Sequence, residues 1–423
     1  MAYDLLRVAP EREILPVKPA WFVWAILFVA VVGGGAFCVV RFWPANEPTG
    51  TLWFWTCVAV FPSIAWAVPF FTYLGALQAT KQRDIDFNAA RRDYLDQVAR
   101  DGSVPLHVLD SGFLFSASET ENTAQAVALR QLVLEPQQRF AADSESVQAR
   151  WVTPDSLNWH PGDEHADEVR HRELLSYVFE ALLARVAPTL HALPARVQVK
   201  VRLSVATQLS KQEVEASWGA AVAARQLNEL MRVEIDAQAP ELVLVDRWVD
   251  EKDIATDALT LLCVVQLNAL LNTRPAENSA EAGVILLFAS ASFANKKRLA
   301  CRALLHRPEL RDAAGMGQGL LQALLWSRVL PSDLVDHWMT GGANTPANLA
   351  LTDHLSDQQV GVSETDSLSG QHDIDMRIGA AGIAGTWLCV ALALEHAVAS
   401  GQPQLCSVAD EEQLTVAVIA PRL

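Results

Sequence analysis

The residues of this chain best suited to chemistry by type fall close together: His160, Asp163, Glu164, His165, Asp167, Glu168 and His171. Imidazoles and carboxylates are the donors that divalent transition metals take. The spacing argues against a single site. There is no His-Glu-x-x-His, and His165 and His171 stand six positions apart, which does not bring them to one helix face. A solvated loop leading into a helix, whose acidic start suits the helix dipole, accounts for the same residues. Gly379-Ala-Ala-Gly-Ile-Ala-Gly385 opens an apolar run and could offer backbone N–H groups to an anion. Its spacing is GxxGxxG, not GxGxxG, and no clear strand precedes it, so close packing of a helix start is the simpler expectation. Spacing alone does not decide whether an anion or acyl group binds there. Lys296-Lys297-Arg298 has the pattern of a solvated helix face. Asp336-His337 and Asp353-His354 are adjacent acid–imidazole pairs with no accompanying nucleophile, and neither a GxSxG elbow nor a P-loop occurs. Cys38, Cys57, Cys263, Cys301, Cys389 and Cys406 make no CxxC or CxH spacing. Scattered among apolar neighbours, they suggest plain thiols in a reducing compartment. No catalytic residue, cofactor or metal ligand is expected.

The elements that must carry these residues begin with two apolar runs. Neither Pro19 to Val40 nor Pro48 to Thr80 contains a charged side chain. Each exceeds the ~20 residues that a helix needs to cross a bilayer core. Trp21, Trp24, Trp43, Trp53, Trp55 and Trp66 accompany the runs, several near helix ends, where indoles favour the headgroup zone. Gly33-Gly34-Gly35, Pro62 and Pro69 are costly in a soluble helix and common in membrane spans. A cleaved signal peptide fits poorly, because the first run is long and acids precede it. Arg7, Arg12 and Lys18 stand before the first run and Lys81, Arg83, Arg91 and Arg92 after the second, with only Arg41 between. The positive-inside rule then places both ends in the cytoplasm and residues 42–50 outside. The expected organisation is a cytoplasmic segment (1–18), a transmembrane helical hairpin (19–80), a juxtamembrane helix continuing from it (81–102), and a soluble body (103–423) with a possible split near 190–240.

The first 80 of the 423 residues balance Arg7, Arg12, Lys18 and Arg41 against Asp4, Glu11, Glu13 and Glu47, so the whole net charge of −16 belongs to the body. An acidic body excludes broad nucleic-acid binding, which needs cations to displace phosphate counterions. Glu168 to Val186 is amphipathic at helical spacing and meets Pro188. Arg196 to Val205 alternates as a half-buried strand does. Short apolar runs at 242–245, 261–267, 284–288 and 414–419 suggest strands, Lys296 to His306 and Gly317 to Leu330 suggest helices, and 340–376 suggests irregular loop. Strands alternating with helices define a mixed α/β class.

Two stretches resemble β-ketoacyl synthases, enzymes of the thiolase-like fold. Glu281-Ala-Gly-Val-Ile-Leu-Leu-Phe288 is similar to that family's strand after a glutamate–glycine turn. Gly379-Ala-Ala-Gly382, with its apolar helix and Gly401-Gln-Pro403, is similar to its late GAAG segment and the following turn. The synthases carry a catalytic His three residues before GAAG, where this chain has Met376, and no elbow for a nucleophilic Cys is evident. The resemblance therefore implies a fold more than an activity. The layout as a whole resembles a family of bacterial membrane-anchored adaptors for type VI secretion lipase effectors. That resemblance implies a non-enzymatic protein at the cytoplasmic face of an inner membrane, whose partners are the bilayer, through residues 19–80, and a protein client such as a lipase toxin or a spike protein. The alternatives are an immunity protein against a phospholipase toxin, or a thiolase-like acyl-transfer enzyme.

Overall fold

The computed structural model describes residues 8–14, 16, 18–137, 146–160, 162, 164–194, 197–227, 231–236, 238–250, 258–272, 275–342, 344–365, 369–410 and 412–422. The chain divides into two compact units, Tyr3–Val98 and Ala99–Leu423.

In the first unit one helix covers Trp21–Phe42, and a second begins at Leu52 and continues without a break to Gly102. A π-helical turn at Thr56–Val60 interrupts the second helix's regular bonding just before Pro62. Pro62 lacks the N–H that an α-helix would use at that point, and a widened turn absorbs the loss. Small residues bring the helices together: a Cβ on Gly35 would stand 2.7 Å from the Pro62 ring. The Trp66 indole donates to the Trp24 carbonyl at 3.1 Å, and Trp24 meets Phe70 edge-on at 5.2 Å. No residue of Trp21–Phe42 is buried. By length and apolarity both helices are candidate spans. Below them the N-terminal segment lies along the second helix. Asn88 accepts from the Arg12 N–H at 2.9 Å and donates to its carbonyl at 2.8 Å, while Arg92 pairs with Glu11 at 2.6 Å.

The second unit is built on an eleven-stranded mixed sheet. Its strands are β1 (Leu106–Leu114), β4 (Gln198–Ala206), β5 (Met231–Ile235), β6 (Ala258–Gln266), β8 (Ala282–Ala289), β9 (Ala303–Leu305), β10 (Glu309–Asp312), β11 (Asp336–Thr340), β12 (Gln371–Asp373), β13 (Gln404–Ala409) and β14 (Gln413–Pro421). The order is β12-β11-β13-β14-β9-β1-β8-β6-β4-β5, with β10 on β14. A small sheet joins β2 (Glu135–Gln137), β3 (Val147–Arg150) and β7 (Ser279–Ala280). β6 and β8 are buried along nearly their whole length, as uninterrupted apolar runs require.

The Gly385–Ser400 helix lies inside this body. Leu388 to Leu394 are all fully buried, in one cluster with Leu262, Val264 and Phe288 on one side and Trp338, Cys406 and Ile419 on the other. Its apolarity would also suit a membrane span, but here it is a core helix. The Glu164–His191 helix covers another face through Leu174, Val178, Phe179 and Leu182, all buried. It passes through Pro188 instead of stopping there, because a proline so near the C-terminus removes a single bond. Three further expectations fail. Leu242–Val249 is a helical turn anchored by the buried Trp248, not a strand. The helix expected at Lys296–His306 occupies Ala291–Lys297, ending at Arg298 in a left-handed conformation, and β9 follows. The stretch 340–376 holds a helix, Pro346–Asp357, capped by Thr345, and β12.

Candidate functional site

The structure separates the histidine and carboxylate group of 160–171. Asp163 lies outside the described residues. His165 is exposed and pairs with Glu168 at 3.1 Å. With His160, Asn158, Trp159 and Glu173 it lines a groove of about 320 Å³. Asp167 and His171 are buried instead of solvated. The Asp167 carboxylate accepts from the N–H groups of Leu270, Leu271 and Asn272 at 2.9–3.0 Å. His171 bonds Thr207, Gln208 N–H and the Asn268 carbonyl, and burial lowers its pKa. These two residues hold the 267–272 turn; they do not face a common ion.

The glycine-rich segment closes on the body's own backbone. Gly379, at φ +103°, leads into Ala380, whose N–H donates to the Asn278 carbonyl at 2.7 Å. The Ile383 N–H donates to Gln266 Oε1 at 3.2 Å. At Gly382 the left-handed φ of +48° favours glycine, and a Cβ there would push the Gln266 amide, now 2.3 Å from its place, out of that bond. The amides of Gly379, Ala380, Ile383 and Ala384 are thus all engaged within the chain.

Beside this segment is the turn after β11. Gly341 has φ +89°, and a Cβ there would stand 2.0 Å from the Ala409 carbonyl oxygen. Asp375 binds the turn, accepting from Thr340 Oγ1 and the Gly341 N–H, both at 2.8 Å. Asp373 caps the Ile374–Arg377 turn by accepting from the Met376 N–H at 3.1 Å. Burial raises both carboxyl pKa values against those hydrogen bonds. Met376 itself is 66% exposed. Cys263 is fully buried in β6, where burial pushes its pKa up, and burial does the same to Cys301 and Cys389. Cys389 faces Cys406 with sulfurs 3.1 Å apart, both buried. None of these raised thiols is an activated nucleophile. Glu281, which opens the synthase-like strand, is fully buried. It takes two bonds from Arg170, at 2.6 and 2.9 Å, and one each from the Val152 and Asn268 N–H groups.

Sequence reasoning missed one constellation. Asp336 does not pair with its neighbour His337, because adjacent strand residues point to opposite faces. His337 bonds Ser407 Oγ at 2.7 Å. Asp336 accepts instead from His372 on β12, at 2.9 Å, and from His396 on the core helix, at 3.2 Å. Burial pushes the Asp336 carboxyl up, but the bonds and charges of the two imidazoles outweigh it and hold it well below the usual carboxylate range. Strand alternation could have ruled out the Asp336–His337 pair. Nothing local points to His372 or His396.

No family model and no curated protein sequence matches the chain. Solved structures do share its fold. It is similar to the ishigamide ketosynthase/chain length factor, with 13% identity and a TM-score of 0.50 over 75% of this chain and 99% of that one. It is equally similar to the ketosynthase from module 6 of the bacillaene synthase from Bacillus subtilis 168, with 10% identity and a TM-score of 0.50 over 75% of this chain and 72% of that one. The body is a mixed α/β fold of the thiolase-like, ketosynthase kind. The expectation of a non-enzymatic type VI secretion adaptor is corrected here: these structures that share the fold are ketosynthases, which are enzymes, and nothing in the likeness supports a secretion adaptor. The adaptor was suggested by the layout, two apolar runs, an acidic body and a thiolase-like end with its 281–288 and 370–420 segments, and layout carries no chemistry.

Proposed function

We propose that the body is a thiolase-like acyl-transfer protein, held at the cytoplasmic face of a bacterial inner membrane by residues 19–80, and that its reaction makes no acyl-cysteine on the chain. The fold carries this reading: the likeness extends over 99% of a ketosynthase/chain length factor chain. The second clause rests on the raised pKa values of Cys263, Cys301 and Cys389 and on Met376 at the position where the synthases carry His. Transfer is then direct. The acceptor's nucleophile adds to the thioester carbonyl, the C–S bond breaks, and the acceptor's proton ends on the departing thiolate. Asp373 and Asp375, whose burial favours the protonated form, stand beside the Gly341 turn, where such a proton could be held in transit.

The full-length protein in detergent tests this with short- and medium-chain acyl thioesters and an amine or hydroxyl acceptor, by following thiol release and the intact mass of the chain. Thiol release is expected with no added acyl mass, and Asp375→Asn is expected to slow it by about 100-fold. Absence of turnover across the thioester series refutes acyl transfer, and a stable adduct on a cysteine refutes the direct route.

A further inference from the structure

We infer that Asp336, His372 and His396 form a binding site for a divalent first-row transition ion of the Zn²⁺ class. Three parts of the body meet here. Asp336 opens β11, which pairs in parallel with β12, and His372 sits at the middle of β12, opposite Trp338. His396 comes from the last turns of the Gly385–Ser400 helix. The two imidazole Nε2 atoms take one carboxylate oxygen each, at 2.9 and 3.2 Å, and all the candidate donor atoms lie within 4.8 Å of one another. Metal–ligand bonds of about 2.0–2.2 Å place tetrahedral donors about 3.3 Å apart, so small side-chain shifts suffice to admit an ion.

The rings are held for this purpose. Trp338 packs at a tilt against His372, ring centroids 4.4 Å apart, and against His396 at 5.4 Å, and its indole N–H is fixed by Gln404 Oε1 at 3.0 Å. Gln404 is itself fully buried. The His372 side chain is 3% exposed, and its Nδ1 is buried with no hydrogen-bond partner among the described residues. That nitrogen lies on the ring edge away from Asp336, so the atom available to an ion is Nε2, which already faces the carboxylate. Asp336 and His396 keep 16% and 21% of their side-chain surface, which leaves an entry. Two imidazoles and one carboxylate, with coordination positions left over, suit Zn²⁺, Fe²⁺ or Mn²⁺ and not the all-oxygen shell of Ca²⁺ or Mg²⁺. The site lies at the opposite end of β11 from Thr340 and the Gly341 turn, roughly 13 Å along the strand. It therefore stands or falls apart from the acyl-transfer reading.

The test uses the full-length protein in detergent, stripped with a chelator and dialysed against Zn²⁺, with Co²⁺ as the optical probe. The wild type is expected to retain about one Zn²⁺ per chain after desalting and to give Co²⁺ d–d absorption. His396→Ala, at the most exposed ligand, is expected to weaken Zn²⁺ binding by more than the roughly 10–100-fold that outer-shell losses cost. His165→Ala, at the exposed pair with Glu168, is expected to leave it unchanged. Should a cluster variant fail to fold, X-ray absorption on the wild-type Co²⁺ form decides, with two nitrogen donors from imidazole and at least one oxygen expected. The site is refuted by wild-type protein that takes up no metal, by uptake undiminished in folded His396→Ala, or by uptake that follows His165.

Discussion

At the scale of single residues, the body's stability depends on polar groups placed where water cannot reach. Arg170 and Glu281 are both fully buried and joined by two hydrogen bonds. Removing one partner strands a charge, whereas the intact pair roughly offsets its own desolvation. Glu281→Ala is expected to cost about 3–5 kcal/mol in urea unfolding followed by tryptophan fluorescence. A loss under about 1 kcal/mol would show that Arg170 finds another anion or water. His306 tests a different balance. Burial lowers its pKa from 6.5 to about 4. The folded state then keeps the imidazole neutral while the unfolded chain protonates below pH 6.5, so acid favours unfolding across that window. The contribution is about 1.4 kcal/mol per pH unit, levelling off below the folded-state pKa. His306→Gln is expected to flatten the stability profile between pH 6.5 and about 4 relative to wild type, and parallel profiles would contradict the assignment.

At the scale of elements, the Gly385–Ser400 helix is what the two halves of the large sheet pack around. Trp387 anchors its start. The indole donates to the Pro240 carbonyl at 2.7 Å, stacks on Trp248 at 5.9 Å and meets Phe288 nearly edge-on. Trp387→Ala leaves a cavity lined by aromatic rings and a carbonyl with no donor, and is expected to cost about 3–5 kcal/mol by the same unfolding assay. This helix was legible as a long apolar helix from its composition. Its neighbours were less so. The turn at Leu242–Val249 and the strands β6 and β8 are all short apolar runs, and periodicity cannot tell a buried strand from a buried helical segment. Burial of Trp248 against Trp387 decides the first, and pairing with β4 and β1 decides the others.

At the scale of the molecule, the proposed orientation has a direct measurement. The loop between the helices contains Ala45 and Gly50. With the native Cys38 and Cys57 replaced by Ser, Ala45→Cys is expected to react with an impermeant maleimide in intact cells, and Arg225→Cys on the body only after lysis. The reverse pattern would place the body outside. Recovery of the full chain from lysate without detergent would remove the membrane from the account altogether.

Composition and short-range spacing were enough to mark two helices long and apolar enough to span a bilayer, the excess of negative charge on the body and the α/β class. Each is a property of consecutive residues, set by backbone periodicity and by the transfer of side chains out of water. The fate of the chemical groups was settled elsewhere. Asp167 and His171 became buried struts because the 267–272 turn folds over them. Asp336 gained His372 and His396 because parallel pairing of β11 with β12, and the packing of the Gly385–Ser400 helix, bring together residues 36 and 60 positions away. Side-chain electrostatics act over a few ångströms of space, and separation along the chain says nothing about such distances until the sheet and its central helix have closed.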